Sequence, residues 1–296
     1  MRMKWARICV GMALALLAPV VKAQNPDVWD PEKSTAKAKQ LVQQAIDALG
    51  GAAFRDYTEL ECEGRLAEFD HNGDPAGEAF YHNYWYFPDK NRTEYIVKSA
   101  SKASFLAVLI GSFPFPFKGG EFIQVYSGNE GWTMDKSGVN EAPATSISNF
   151  QAAAKNHFRN VLLLKVNQPD VSVRYTGTST VDLWPVDWVE MTNPGEEGSI
   201  RLALDHATHL PSRIVVTSKN LETGQMDEDV TILTNYQPNN SVQIPMQVTR
   251  LHNDRRTYQL FYNSCKANPS LPPDFFTKEG LQRHYKETGG KAKEKK

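Results

Sequence analysis

The stretch that most constrains this chain spans residues 199–217, SIRLALDHATHLPSRIVVT. Ile200, Leu202 and Leu204 alternate with Arg201, Ala203 and Asp205, the period-two pattern of a strand with one apolar face. Asp205 to Pro211 interrupts it with turn chemistry: Asp205 and Thr208 bond nearby backbone, and Pro211 fixes φ and lacks a donor. Ile214 and Val216 then resume the alternation. A slip of one residue would turn Leu202 and Leu204 to the other face, so this hairpin fixes the register of its neighbours. It carries no chemistry.

The first 23 residues read as a leader rather than part of the fold. Arg2, Lys4 and Arg7 precede an apolar run over 8–21, and Val21-Lys22-Ala23 suits a signal peptidase, with cleavage expected after Ala23. The run is short for a membrane span, and the alternative is a retained anchor. Cys9 lies at the start of the apolar run rather than after it, and Arg7 stands where a lipobox wants a small residue, so it is not a lipid-attachment cysteine. Loss of Arg2, Lys4, Arg7 and Lys22, with no acid among them, moves the formal charge from −1 to −5. A mildly acidic chain lacks the electrostatic footprint of a nucleic-acid binder. Its only basic run lies in the tail, 286–296, expected to be disordered. The expectation is therefore a soluble exported protein, periplasmic, with residues 24–285 as one domain. Two cysteines remain after cleavage, Cys62 and Cys265. An oxidising compartment permits a bond between them, which would close a loop worth roughly 5 kcal/mol as an upper figure. Two separate buried thiols are the alternative.

Asp30-Pro31 opens a helix and Gly50-Gly51 ends it, with Leu41, Val42, Ala45, Ile46 and Leu49 as its apolar stripe. Strands are expected over 57–69, 78–87, 91–98, 121–126 and 132–135, with turns at His71-Asn72-Gly73-Asp74 and Gly128. A second helix is expected over 146–164, with Phe150, Ala154, Phe158, Val161 and Leu162 on one face. Further strands are expected over 171–175, 181–191, 230–236, 242–252 and 256–265, with turns at 221–227 and 235–240 and a terminal helix over 275–285. The fold class implied is α+β: a large curled antiparallel sheet with helices on its open side.

Enzymatic and cofactor motifs are missing. There is no phosphate-binding glycine loop and no G-x-S-x-G elbow. Asp205, His206 and His209 share one loop but make a poor metal cage, so a solvated turn is expected there. No catalytic residue, metal or cofactor is assigned. The oddity is apolar: FLAVLIGSFPFPF at 105–117, where Gly111, Pro114 and Pro116 forbid a central strand. Its side chains either fill the core or form the lip of an apolar cavity or docking patch. The candidates for contact with a ligand or partner are Phe105, Leu106, Leu109, Phe113, Phe115 and Phe117, together with Tyr84 and Tyr86 from the aromatic run at 80–87. Trp132, Trp184 and Trp188 are expected to anchor packing.

Several segments resemble a known family. Gly128-Asn129-Glu130-Gly131-Trp132 is similar to the G-x-x-G-W hairpin of the periplasmic lipoprotein-sorting proteins, the LolA/LolB-like family. So are Tyr175-Thr176-Gly177 with the later Val186-Asp187-Trp188-Val189-Glu190, and Leu204-Asp205, Thr208 and Leu210-Pro211 with the D-x-x-T-x-L-P turn. Asn268-Pro269 with Asp274-Phe275-Phe276 resembles the family's closing segment, and the helix end at 45–51 is also similar. The resemblance implies an incomplete antiparallel β-barrel with helices in its mouth and acyl chains in an apolar cavity. It implies a non-catalytic binder of lipid or acylated lipoprotein. The alternative is an envelope protein–protein interaction or sensor module using the same apolar surface.

Overall fold

In a computed structural model the residues described are 25–97, 120–220 and 222–288. The leader, the 105–117 segment and the end of the tail lie outside them. Thirteen antiparallel strands form one sheet that does not close. In chain order they are β1 (Glu59–Phe69), β2 (Pro75–Tyr86), β3 (Lys90–Val97), β4 (Gly120–Ser127), β5 (Glu130–Asp135), β6 (Gly138–Glu141), β7 (Ser172–Val181), β8 (Trp184–Thr192), β9 (Gly198–Asp205), β10 (Pro211–Lys219), β11 (Met226–Asn239), β12 (Val242–His252) and β13 (Arg255–Ala267). The spatial order runs β6-β5-β4-β3-β2-β1-β13-β12-β11-β10-β9-β8-β7. All neighbours are consecutive in sequence except β1 and β13, which form a seam between two lobes.

The hairpin at 199–217 is β9 and β10, in the register its pattern demands: Ile214 faces Leu202 and Val216 faces Ile200. Asp205 accepts from the Ala207 and Thr208 amides and the Thr208 hydroxyl, at 3.1, 2.7 and 2.9 Å. The opposite face is less wet than alternation suggests, since Ala203, Val215 and Val230 are buried there.

Asp30 caps α2 (Pro31–Ala48) by accepting from the Glu32 and Lys33 amides. All five stripe residues are buried, and they pack on the concave face of β7–β12. Short helices flank it: α1 (Pro26–Trp29) before and α3 (Ala52–Asp56) after. The single helix expected over 146–164 is two, α4 (Ala144–Lys155) and α5 (Phe158–Leu163). Between them the His157 backbone is extended, and its ring Nδ1 accepts from the Arg159 amide at 3.3 Å, capping α5. The turn expected at 235–240 is strand as far as Asn239, with an irregularity at Asn235, whose φ is +55°. The pairing with β12 keeps one register on both sides of it, Thr234 opposite Gln247 and Tyr236 opposite Pro245, so the strand continues.

The terminal helix, α6 (Lys278–Thr288), runs beyond the expected tail boundary at 285. It covers the convex face of β4 and β5, where Ile123, Val125, Trp132 and Met134 pack against Phe276 and Leu281. Strand β4 is thus buried on both sides. Asn268 secures this segment by accepting from the Thr58 and Glu59 amides at 3.0 and 3.2 Å. Among the described residues no helix is long and apolar enough to cross a membrane.

Candidate functional site

The concave face is set by the seam. Cys62 faces Cys265 across β1 and β13, and the two are joined by a disulfide 203 residues apart in sequence. Cys62 also faces Asn83 on β2. Directly opposed residues of antiparallel strands point to one face, so Tyr81, Asn83 and Trp85 look inward and Tyr84 and Tyr86 look outward. Tyr84 and Tyr86, expected as contacts for a ligand or partner, are therefore on the face away from the cavity. They meet the closing segment instead, with the Tyr84 and Phe275 rings 4.8 Å apart and the Tyr86 and Phe276 rings 6.3 Å apart. The other candidates, Phe105, Leu106, Leu109, Phe113, Phe115 and Phe117, lie outside the described residues.

Between the concave face and α4 lies a cavity of about 280 Å³. Its aliphatic floor comes from the seam, Leu66 and Leu260, with Val248 and Leu233 beside them. Aromatic rings follow: Tyr81 sits 5.6 Å from Tyr95 and 6.2 Å from Tyr262. One wall is polar, which the sequence reading did not anticipate. Asn83 donates to the Thr93 hydroxyl at 2.9 Å, Thr93 donates to Asn91 at 2.8 Å, and Asn91 donates to the Tyr84 carbonyl at 3.0 Å. Gln124 donates to the Tyr126 hydroxyl at 3.0 Å. A wall whose polar groups satisfy one another presents methylene and methyl edges without a desolvation penalty.

Helix α4 closes the cavity through Phe150, stacked 4.8 Å from Tyr126 and 5.9 Å from Trp85. Gly131 allows the Tyr126 ring its position, because a Cβ there would meet the ring at 2.7 Å. Arg159 ties α5 to the other side of the mouth. Its Nη2 donates to the Arg55 and Tyr57 carbonyls at 2.9 and 2.6 Å, and its guanidinium lies 4.7 and 4.8 Å from the Tyr57 and Phe87 rings. Burial lowers the Arg159 pKa from its ordinary value and raises that of Tyr57. Burial, aided by Arg159, pushes His157 down to about 3. Burial likewise pushes Tyr81 and Tyr95 well above the ordinary tyrosine value. At neutral pH these tyrosines and His157 are uncharged, and Arg159 keeps its charge. The sequence signals Arg159 only as one arginine inside a helical segment with an apolar face.

The Asp205, His206 and His209 loop does not gather. His206 turns away to Asp187, 2.7 Å from Nδ1, and Asp187 also accepts from Thr178 at 2.6 Å. Among the described residues no three His, Cys, Asp or Glu side chains converge as a metal site. Of the tryptophans, Trp132 is buried and Trp188 is half-buried under Arg201, but Trp184 is 68% exposed at a hairpin tip and anchors nothing.

No family model and no curated relative matches the sequence. Solved structures do match in fold. A domain described as an outer membrane lipoprotein-sorting protein from Vibrio parahaemolyticus superposes with a TM-score of 0.51 at 10% identity, covering 86% of this chain and 100% of that one. A DUF1329 family protein from Desulfovibrio piger gives 0.52 at 10% identity, covering 84% of this chain and 99% of that one. Identity this low speaks to architecture only. The chain has the open-barrel fold of the lipoprotein-sorting domains that its motifs resemble.

Proposed function

We propose that residues 24–285 act as one exported unit that holds acyl chains of a lipid or lipoprotein in the cavity under α4, without catalysis. In this reading the leader is removed after Ala23 and the protein works in the periplasm. The observation that supports it is the hollow itself, floored by Leu66, Leu260, Val248 and Leu233 and closed by one short helix. Each CH₂ moved from water into such a space contributes about 0.8 kcal/mol, so a long chain gains enough to offset its lost freedom. The tyrosines and His157 that face the space keep their neutral forms, which suits storage rather than proton transfer. Native mass spectrometry of protein purified without detergent tests the reading: adducts of lipid mass should accompany the chain. Absence of adducts, together with no binding of a fluorescent fatty acid, would falsify it.

A further inference from the structure

The cavity has a polar end. Register places Glu68 on β1 opposite Tyr258 on β13, Tyr258 opposite Arg250 on β12, and Arg250 opposite Thr231 on β11. Opposed residues share a face, so these four form one inward row crossing the seam, in steps of about 5 Å. Two residues further along each strand lies the aliphatic row of Leu66, Leu260, Val248 and Leu233. A head row is thus backed by a tail row.

The head row is electrostatically incomplete. Arg250 lines the cavity and donates from Nη1 to the Thr231 hydroxyl at 2.5 Å. Among the described residues no carboxylate reaches it within ion-pair distance. A guanidinium has five N–H donors in a fork that matches an anionic oxygen pair, and among the described residues the Thr231 hydroxyl is the one side-chain acceptor recorded for it. Glu68 is 1% exposed, and neither carboxyl oxygen has a hydrogen-bond partner. Burial pushes it up to about 8, so at neutral pH it is a carboxylic acid and cannot serve as the arginine's counter-ion. It is instead a second donor in the same row.

We propose that this row seats an anionic oxygen headgroup, so that the ligand is an acyl amphiphile bearing a carboxylate or a phosphate ester rather than a neutral lipid. The inference rests on the acyl-binding reading and adds the chemistry of the head. Arg250 contacts the anion, Thr231 orients the guanidinium, and Tyr258 lies between Arg250 and Glu68.

Displacement of a fluorescent fatty acid from the full chain tests it, using palmitate, hexadecyl phosphate and hexadecanol. The expected result is that at least one anion binds about 10-fold or more tightly than the alcohol, and the stronger of the two identifies the headgroup. Arg250→Gln should shrink that ratio to below about 3-fold through loss of affinity for the anion, and Arg250→Lys should restore part of it. Equal affinity for the alcohol and both anions in the unmodified protein would overturn the headgroup site and leave acyl binding standing. So would a ratio unmoved in a folded Arg250→Gln protein. No binding of any of the three would remove the acyl reading and the headgroup with it. The unmodified protein's ratio decides the matter even if the variants do not fold.

Discussion

Two lobes of the sheet use one concave surface in opposite ways, a solid one on β7–β9 and a hollow one that spreads from β1–β4 across the seam onto β11–β13. On β7–β9, Val189, Met191, Ile200, Leu202 and Leu204 meet the stripe of an 18-residue helix in one continuous packed core. In the hollow lobe the inward residues of β2 and β3 include Tyr81, Tyr95, Asn83, Asn91 and Thr93, and the helix above them, α4, touches mainly through Phe150. Aliphatic side chains at strand spacing interdigitate with a helix face and leave no gap. Long rings and hydrogen-bonded amides hold their neighbours apart. The first lobe stores stability, and the second spends that stability on keeping a space open.

The largest effect is expected at the seam that joins the lobes. Cys62–Cys265 closes a loop of 203 residues, and the chain-entropy account gives such a loop about 5 kcal/mol as an upper figure. The double substitution Cys62→Ser, Cys265→Ser should lower the unfolding free energy by several kcal/mol, read from urea titration. If the lobes unfold as independent bodies, the titration will instead split into two steps after the bond is removed.

A matched pair of valines tests solid against hollow. Val189 is 0% exposed on β8, and Val248 lines the cavity on β12. Val189→Phe should cost about 1–3 kcal/mol, because overpacking forces neighbours off their rotamers. Val248→Phe should cost much less and should weaken binding of a fluorescent fatty acid. Equal destabilisation by the two would mean that the second lobe is packed as tightly as the first.

Next in size is a pH profile with one contribution from each kind of burial. Glu68, at about 8 in the folded protein against an ordinary 4.5, keeps its proton where the unfolded chain has lost it. Its contribution therefore falls as pH rises from about 4.5 towards 8, by about 1.4 kcal/mol per pH unit at most. His157, at about 3 against 6.5, refuses a proton that the unfolded chain accepts. Its contribution falls as pH drops below about 6.5, with the same limiting slope. Between about 4.5 and 6.5 the two slopes cancel, so stability measured by urea midpoint should show a plateau there and decline on both sides. Glu68→Gln should flatten the alkaline side and turn the plateau into a slope that falls towards acid, because the His157 contribution is then uncompensated.

The solid lobe was far more legible in the sequence than the hollow one. Strand period and helix period both report burial of aliphatic groups, and the stripe of α2 and the hairpin at 199–217 follow from them directly. The polar wall gave no such signal, because Asn83, Asn91 and Thr93 read as ordinary surface positions until β2 and β3 are paired with them facing inward. The face that Tyr84 and Tyr86 occupy was hidden for the same reason: parity along β2 is decided by its partner strand, 20 or so residues away, and not by the ring count. Arg250 and Glu68 become neighbours only through β13, which follows both in the chain. The order of the family-like motifs, by contrast, carried the open-barrel topology correctly.

The smallest effect compares the turns of the two lobes. In the hollow lobe the β1–β2 turn has Gly73 at φ +85°, with Asp70 accepting from the Asn72 and Asp74 amides. In the solid lobe the β7–β8 turn places Asp182 and Leu183 at φ +49° and +72°. Two positive φ values in a two-residue hairpin favour Asp-Gly or Asn-Gly, and a leucine there is strained. Leu183 is 92% exposed, so removing its side chain loses no burial. Leu183→Gly should stabilise the protein by about 0.5 kcal/mol, the relief of strain slightly exceeding the freedom glycine adds to the unfolded chain. Gly73→Ala should move stability the other way by about 1 kcal/mol. A loss of stability in Leu183→Gly would show that the leucine makes a contact of its own. Leu183 and Trp184 would then be the place to look for what the solid lobe holds beyond itself.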